Sequence, residues 1–328
     1  MITSFPAGVS SFGVPVAGSL PTTFGKIIFC NYDTGSDGNN GEDMESPVKT
    51  LAQAYSLART NKDDIIALSS YSAHPVTEML TVAKNRVHFV GLGGFGRVSG
   101  QRTRITMGVT GVATDLAPIM VTGVGNTFHG LKVDNGSTTN ASLYGFIDNG
   151  ECTYIENCHF LKTAGLDDAG WASFWLAGDS LNMFNCTFGQ SNLPSAVAHY
   201  GILIDGKTGG ATDGTVKECF LKNIYINMSV STAAASTACF VKVADNAALN
   251  FNNTIENLVG FNFVQNGTGT IMTDAVLAAA STVGGYLNLV NPSFMGCTGV
   301  GGGSGYGVYI SSAPAADANG GLGTTLTD

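Results

Sequence analysis

A short phrase returns along the chain: Ile155-Glu156-Asn157-Cys158-His159-Phe160, then Met183-Phe184-Asn185-Cys186-Thr187-Phe188, then Val216-Lys217-Glu218-Cys219-Phe220. Fainter copies follow at Ile255-Glu256-Asn257-Leu258 and Leu289-Val290-Asn291-Pro292-Ser293-Phe294. Each copy alternates apolar and polar residues and passes through Asn or Glu; the fuller copies close on Cys and an aromatic. The cysteines stand 28 and then 33 residues apart. A repeat of that length marks a solenoid, whose units bury their apolar faces only against neighbours. Alternation with period two makes those units strands. On this reading the Cys and Phe point inward and the Asn is a turn or ladder residue.

Composition agrees with a β-solenoid. Of 328 residues 44 are glycine, and only 12% are charged against 44% hydrophobic, which is too apolar for disorder. The net charge of −9 is uneven: all five arginines lie at or before Arg104, and the acidic remainder argues against a nucleic-acid partner. Seven cysteines with no Cys-x-x-Cys pair read as buried thiols rather than disulfides or metal ligands. The start has no basic segment followed by an apolar run, and no apolar run nears 18 residues. The expectation is a protein made and assembled in a cytoplasm, with neither signal peptide nor membrane partner.

Residues 1–26 carry no charge before Lys26, yet Phe5, Val9, Phe12, Val14, Leu20 and Phe24 are too apolar for a solvated tail. They read as an attachment arm or subunit contact. Ile27-Ile28-Phe29 is a short strand, and Asp33–Gly41 is turn-dense. Ser46 as N-cap, Pro47 at the first helical position and apolar residues at helical spacing predict a helix over 46–59. Strands at 65–68, 76–82 and 87–90 then suit one coil of a three-sided parallel β-helix, with the helix capping its open end. From 87 to about 310, coils of about 25 residues imply on the order of nine rungs. Insertions are expected near 164–180, 189–200, 206–214 and 229–238, and 311–328 forms a C-terminal tail.

Several of these segments carry a family resemblance: Asp37-Gly38-Asn39-Asn40-Gly41, Ser46-Pro47, Thr50-Leu51, Asp64–Leu68, Thr77–Val82 and Asn85–Gly91. Together they resemble the opening of right-handed parallel β-helix proteins, the pectin-lyase-like fold. The resemblance covers 27–300 as architecture and 33–94 as recognisable sequence. It implies an all-β chain: a right-handed single-stranded parallel β-helix over 27–310 with an N-terminal capping helix. The apolar arm and the small-residue content further resemble virion proteins of tailed bacteriophages, in which β-helices serve as spikes, fibres or capsid decorations, usually as trimers.

The fold's enzymes supply tests for chemistry. Pectate-lyase-like members use an acidic calcium cluster with an Arg or Lys base, and this chain has no Arg beyond Arg104. Galacturonase-like members share Asn-x-Asp, Asp-Asp, His-Gly and Arg-x-Lys in that order. Here Asp167-Asp168 follows His129-Gly130 and the other two are missing. Asp33-x-Gly-x-Asp37-Gly38 imitates a calcium loop but has Met44 where the closing Glu belongs. Gly91-x-Gly93-Gly94-x-Gly96 opens no helix, and the five histidines lack metal spacing. Trp171, Phe174 and Trp175, beside Asp167-Asp168, suit either glycan stacking or subunit contact.

The sequence therefore leads to a non-enzymatic structural component of a tailed-phage virion, a capsid decoration, head fibre or tail spike-like β-helix. It would be homotrimeric, without cofactor, and docked on other virion proteins through its arm. The alternative is a polysaccharide depolymerase or lyase, or a glycan-binding receptor protein, acting on bacterial surface polysaccharide.

Overall fold

The computed structural model describes residues 10–11, 14–15, 25–70, 72–94, 103–108, 116–138, 142–166, 168–190, 195–206, 215–231, 234, 236–244, 248–263, 270–278, 284–299 and 308–311. From Ile27 onward every strand pairing among them is parallel. The chain winds as a three-sided parallel β-helix. One column of the first face runs Ile28, Ile66, Phe89, Phe128, Ile155, Met183, Leu221, Ile255, Leu289, Ile310, each in register with the next. At the inter-strand spacing of about 4.8 Å, these ten described rungs make a stack about 43 Å tall. From Ile28 to Leu289 no member of the column is more than 1% exposed.

The second face includes His74–Val76, Thr103–Met107, Leu131–Asn135, His159–Lys162, Thr187–Gly189 and the end of Phe220–Met228. The third is Leu80–Val82, Ile119–Val121, Ile147–Asp148, Trp171–Leu176, His199–Ile204, Cys239–Val243 and Val276–Ala278. Between the faces the inward columns form one core. Its aromatic rings stack along the axis: Phe89 on Phe128 at 4.8 Å, Phe146 on Phe174 at 5.6 Å, Phe160 on Phe188 at 5.9 Å. Each such ring contributes about 1.5–3 kcal/mol by leaving water, and stacking adds to it. Where Phe240 stacks on Phe294 at 5.6 Å, the intervening rung carries Gly260, because a Cβ there would lie 2.5 Å from the Phe240 ring.

From the rung of Phe128 onward the corner from first to second face is a single residue in the left-handed region: Gly130 (φ 68), Asn157 (54), Asn185 (55), Asn223 (56), Asn257 (55) and Asn291 (50). Asn tolerates this conformation better than most side chains. The amides also join: Asn223 Nδ2 donates to Asn185 Oδ1 and Asn257 Nδ2 to Asn223 Oδ1, both at 3.0 Å. The residue after each Asn turns inward, so Cys158 and Cys186 sit fully buried in one column with Leu131, Ile224 and Leu258.

The repeat phrase therefore mixes two corners. The Asn185-Cys186 equivalent on the next rung is Asn223-Ile224 rather than Glu218-Cys219. Glu218 (φ 55) belongs to the corner from third to first face, in line with Arg86, Gly125, Cys152 and Ser180. Cys219 is buried there, but Phe220 points outward and packs 5.9 Å from Phe184. Both corners are one left-handed residue followed by an inward one, so they write the same local pattern.

Other expectations shift. The helix spans Leu51–Leu57 with Thr50 as N-cap, its side chain accepting from Gln53 N. It starts later than Ser46 because Val48 is held extended: its N–H donates to Phe29 O and its carbonyl accepts from Asn31 N. Strand Ile27–Cys30 is thus already the first rung, and the helix lies between it and the second. Leu51 and Ala54 bury into the core, and the Lys84 ammonium donates to the carbonyls of Tyr55 (2.6 Å), Ser56 (3.0 Å) and Ala58 (2.7 Å), closing the helix C-terminus. The calcium-like loop is a capping device: Asp37 accepts from the backbone N–H groups of Lys49 and Thr50. Residues 76–82 are two strands on different faces. The segment 164–180 is not one insertion, because strand Trp171–Leu176 lies inside it. Of the arm, Phe5, Val9, Phe12, Leu20 and Phe24 lie outside the described residues. Val14 belongs to a two-residue strand paired with Ser10–Ser11. The tail beyond Ser311 and Asp167 are also outside them.

Asn223→Ala removes two amide–amide bonds and puts alanine in the left-handed region. A local loss of about 2 kcal/mol follows, or roughly 30-fold faster hydrogen exchange of the amides in Asn182–Phe184 and Phe220–Met228. Asn223→Gly, free of the backbone penalty, is expected to lose less.

Candidate functional site

From the rung of Phe128 onward the first and second faces meet at one residue, whereas the two rungs before it join them through 69–73 and 92–102. Before the third face the connections are longer, including 136–146, 163–170 and 190–198, and one long connection, 205–214, follows strand His199–Ile204. Loops flanking a rigid sheet are where a β scaffold can build a ligand surface.

On its outer side one register column reads Thr81, Met120, Ile147, Trp175, Leu203, Lys242, Leu277. Beside it run Tyr144, Ala172, Tyr200 and Cys239. Ile147, Trp175, Leu203 and Ala172 form a second apolar cluster, separate from the main core, with Tyr144, Tyr200 and Met120 half-buried against it. The Tyr144 ring lies 4.5 Å from that of Trp175. Burial first, then Asp205 and Tyr200, push the Tyr144 hydroxyl up to about 12, so it stays a neutral donor at physiological pH. The Cys239 thiol is fully buried and likewise pushed up to about 12, which makes it unreactive.

The three aromatic residues singled out in the sequence share a strand but not an environment. Phe174 belongs to the main core. Trp175 is in the outer cluster. Trp171 stacks on His199 at 4.5 Å and 14°, by the connection from the second face. Their exposures are 6%, 0% and 5% for Trp171, Phe174 and Trp175, so none offers an open ring face. The indole N–H groups of Trp171 and Trp175 are buried without an acceptor. Buried donors of this kind call for a water or a ligand oxygen. Tyr144 and Tyr200, which carry the reachable edge of this surface, escaped sequence reading. Their alignment with Trp175 depends on rung register across connections of unequal length, and only the aromatic content of the segment hinted at it.

Neither outward column contains a carboxylate. Glycoside hydrolysis by the common routes needs two carboxyl groups about 5–10 Å apart across one cleft. Asp148 and Asp179 act on one another, but both are buried in the corner behind the face. Asp148 takes an inward position between Val121 and Leu176, with 0% exposure. Its Oδ1 accepts from Thr153 Oγ1 at 2.9 Å and from Gly150 N at 3.3 Å, while Oδ2 has no partner. Asp179 pairs with Lys217 at 3.5 Å. Among the described residues no group of three or more His, Cys, Asp or Glu is arranged to hold a metal ion.

Neither a protein-family model nor a curated protein sequence matches the chain. Solved structures do. A pectate lyase, Pel9A, superposes with a TM-score of 0.52 at 11% identity, over 86% of this chain and 72% of its own. The Escherichia coli protein ybhc gives 0.52 at 12% identity, over 97% and 85%. The pectin methylesterase of Aspergillus niger gives 0.46 at 14% identity, over 89% and 91%. The first two likenesses accord with the architecture. The chain is a right-handed parallel β-helix of the pectate-lyase kind.

Burial, with Asp179 adding to it, raises Asp148 from 3.8 to about 6. A carboxyl held above its unfolded value costs nothing while protonated below about 4, and the cost of ionising it grows as pH rises to about 6. Asp148→Asn keeps the acceptor for Thr153 and cannot ionise. It is expected to stabilise the protein by about 2–3 kcal/mol at pH 8, with the gain vanishing near pH 4, as measured by thermal unfolding across pH.

Proposed function

We propose that the protein binds a polysaccharide along the outer side of the third face and does not cleave it by a two-carboxylate mechanism. The observation that carries this reading is the half-buried Tyr144 and Tyr200 on a Trp175-backed apolar floor, with Lys242 on the next rung and the unpaired Trp175 indole donor beneath. Sugars present apolar ring faces rimmed by hydroxyls, and such a floor with polar edges matches both. The likeness to pectate lyase Pel9A accords with a polysaccharide as the ligand. The lack of a carboxylate in the two outward columns of described residues favours this reading over a hydrolase. Bacterial surface polysaccharide is the class to test.

A second reading is a homotrimeric virion component of a tailed phage, docked on other virion proteins through residues 1–26. It is favoured by the apolar character of that arm and its lack of charge before Lys26. The two readings are compatible, since a virion protein can carry a glycan surface. Deletion of the arm separates them: it abolishes incorporation into particles under the second reading and leaves glycan binding intact under the first.

Tyr200→Ala and Lys242→Ala are each expected to weaken binding of a surface polysaccharide about tenfold, equal to about 1.4 kcal/mol. Lys132→Ala, on the outer side of the second face, serves as the control and leaves it unchanged. Calorimetric titration against a panel of capsular and lipopolysaccharide glycans measures this, with circular dichroism to confirm folding. Appearance of reducing ends or unsaturated sugars during titration would count against a purely binding role.

A further inference from the structure

At the junction of the second and third faces lies a small recess with about 10 Å³ of free volume, lined by Lys162, Trp171, Gln190, His199 and neighbouring residues. That is about the room one water-sized particle needs. Lys162 is 1% exposed, among the most buried large side chains of the protein. Its ammonium donates to Ser142 O at 2.6 Å and Ser137 O at 3.3 Å, which leaves its third N–H unused. Among the described residues no carboxylate stands within ion-pair distance of it, and Asp168 acts on it only from farther away. Gly165, at φ 59, permits this placement, because a Cβ there would meet Lys162 Nζ at 3.1 Å and Ser137 O at 3.0 Å.

A buried cation without a counter-ion is costly, and proteins relieve that cost by pairing or neutralising the group. Burial does move Lys162 from 10.5 down to about 8, which still leaves most of it charged near neutral pH. The rest of the lining is rich in donors. The Trp171 indole N–H is buried and unpartnered, and an indole offers no acceptor. The Gln190 Nε2 amide is also buried and unpartnered. His199 stacks on Trp171, and burial lowers it to about 4, so it adds no second positive charge.

We infer that this recess is a binding site for a single-atom monovalent anion of the chloride class, held by Lys162, Trp171 and Gln190. A charged donor and two neutral donors around a space this small suit a halide. A carboxylate or phosphate is too large, and a neutral water leaves the Lys162 charge unbalanced. The anion ties Lys162 on the second face to Trp171 on the third and so braces one end of the aromatic floor.

The test uses the full chain without glycan, so its result is independent of the polysaccharide reading. Thermal unfolding is compared in sodium chloride, sodium bromide and sodium gluconate at equal ionic strength. A bound halide raises the melting temperature with its concentration, by a few degrees, whereas gluconate is too bulky to enter. Lys162→Met removes the halide dependence. Trp171→Phe keeps the ring and loses the N–H, and weakens the dependence; it decides the matter if the Lys162 variant does not fold. Crystals soaked in bromide are expected to show anomalous density between Lys162 Nζ and Trp171 Nε1. Equal melting in all three salts, with a water and no bromide in the recess, overturns the proposal.

Discussion

The whole molecule depends on in-register parallel pairing between successive rungs. No single rung has a core of its own; Phe128 is buried only because Phe89 lies below it and Ile155 above. Pairing fixes alternation, alternation decides which side chains enter the shared interior, and the filled interior holds the next rung in register. The Leu51–Leu57 helix belongs to the same logic. It packs Leu51 and Ala54 on the first rungs, and Lys84 satisfies the carbonyls at its end.

Much of this was legible in the residues. The Asn-Cys-x-Phe phrase gave the period and the inward set, and Cys158, Cys186, Phe160 and Phe188 are all buried as alternation requires. Its third copy misled because Glu218 and Asn223 occupy equivalent one-residue bends at opposite corners of the same rung. Local sequence cannot tell which corner a bend belongs to; only the partner rung can. The helix boundary failed for a related reason. Ser46-Pro47 is a good helix start in isolation, yet pairing of Val48 with the first rung outweighs it.

The functional surface was less legible than the scaffold. Trp171 and Trp175 drew notice as the two tryptophans, but their ring faces are covered and their neighbours decide what they do. Tyr144 and Tyr200 come from different rungs and join the Trp175 cluster only after connections of unequal length have been wound up. The same holds for Lys162, Trp171 and Gln190. Sites in a solenoid are assembled across rungs, in a direction at right angles to the chain, and one-dimensional spacing carries little of that information.

The one-residue bend at Asn157, Asn185, Asn223 and Asn257 has a consequence for how such a chain can change length. It contains no slack. An extra residue beside Asn185 would reverse the alternation of the following strand and turn Phe188 out to solvent. The connections ahead of the third face already differ in length from rung to rung without disturbing the columns they join. From the Phe128 rung onward, gains and losses of sequence therefore fall at the margins of the third face, while the rung before it carries one at the first corner, 92–102. A lineage carrying this frame can rewrite its ligand surface by insertion while the amide-laddered edge acts as a fixed reading frame.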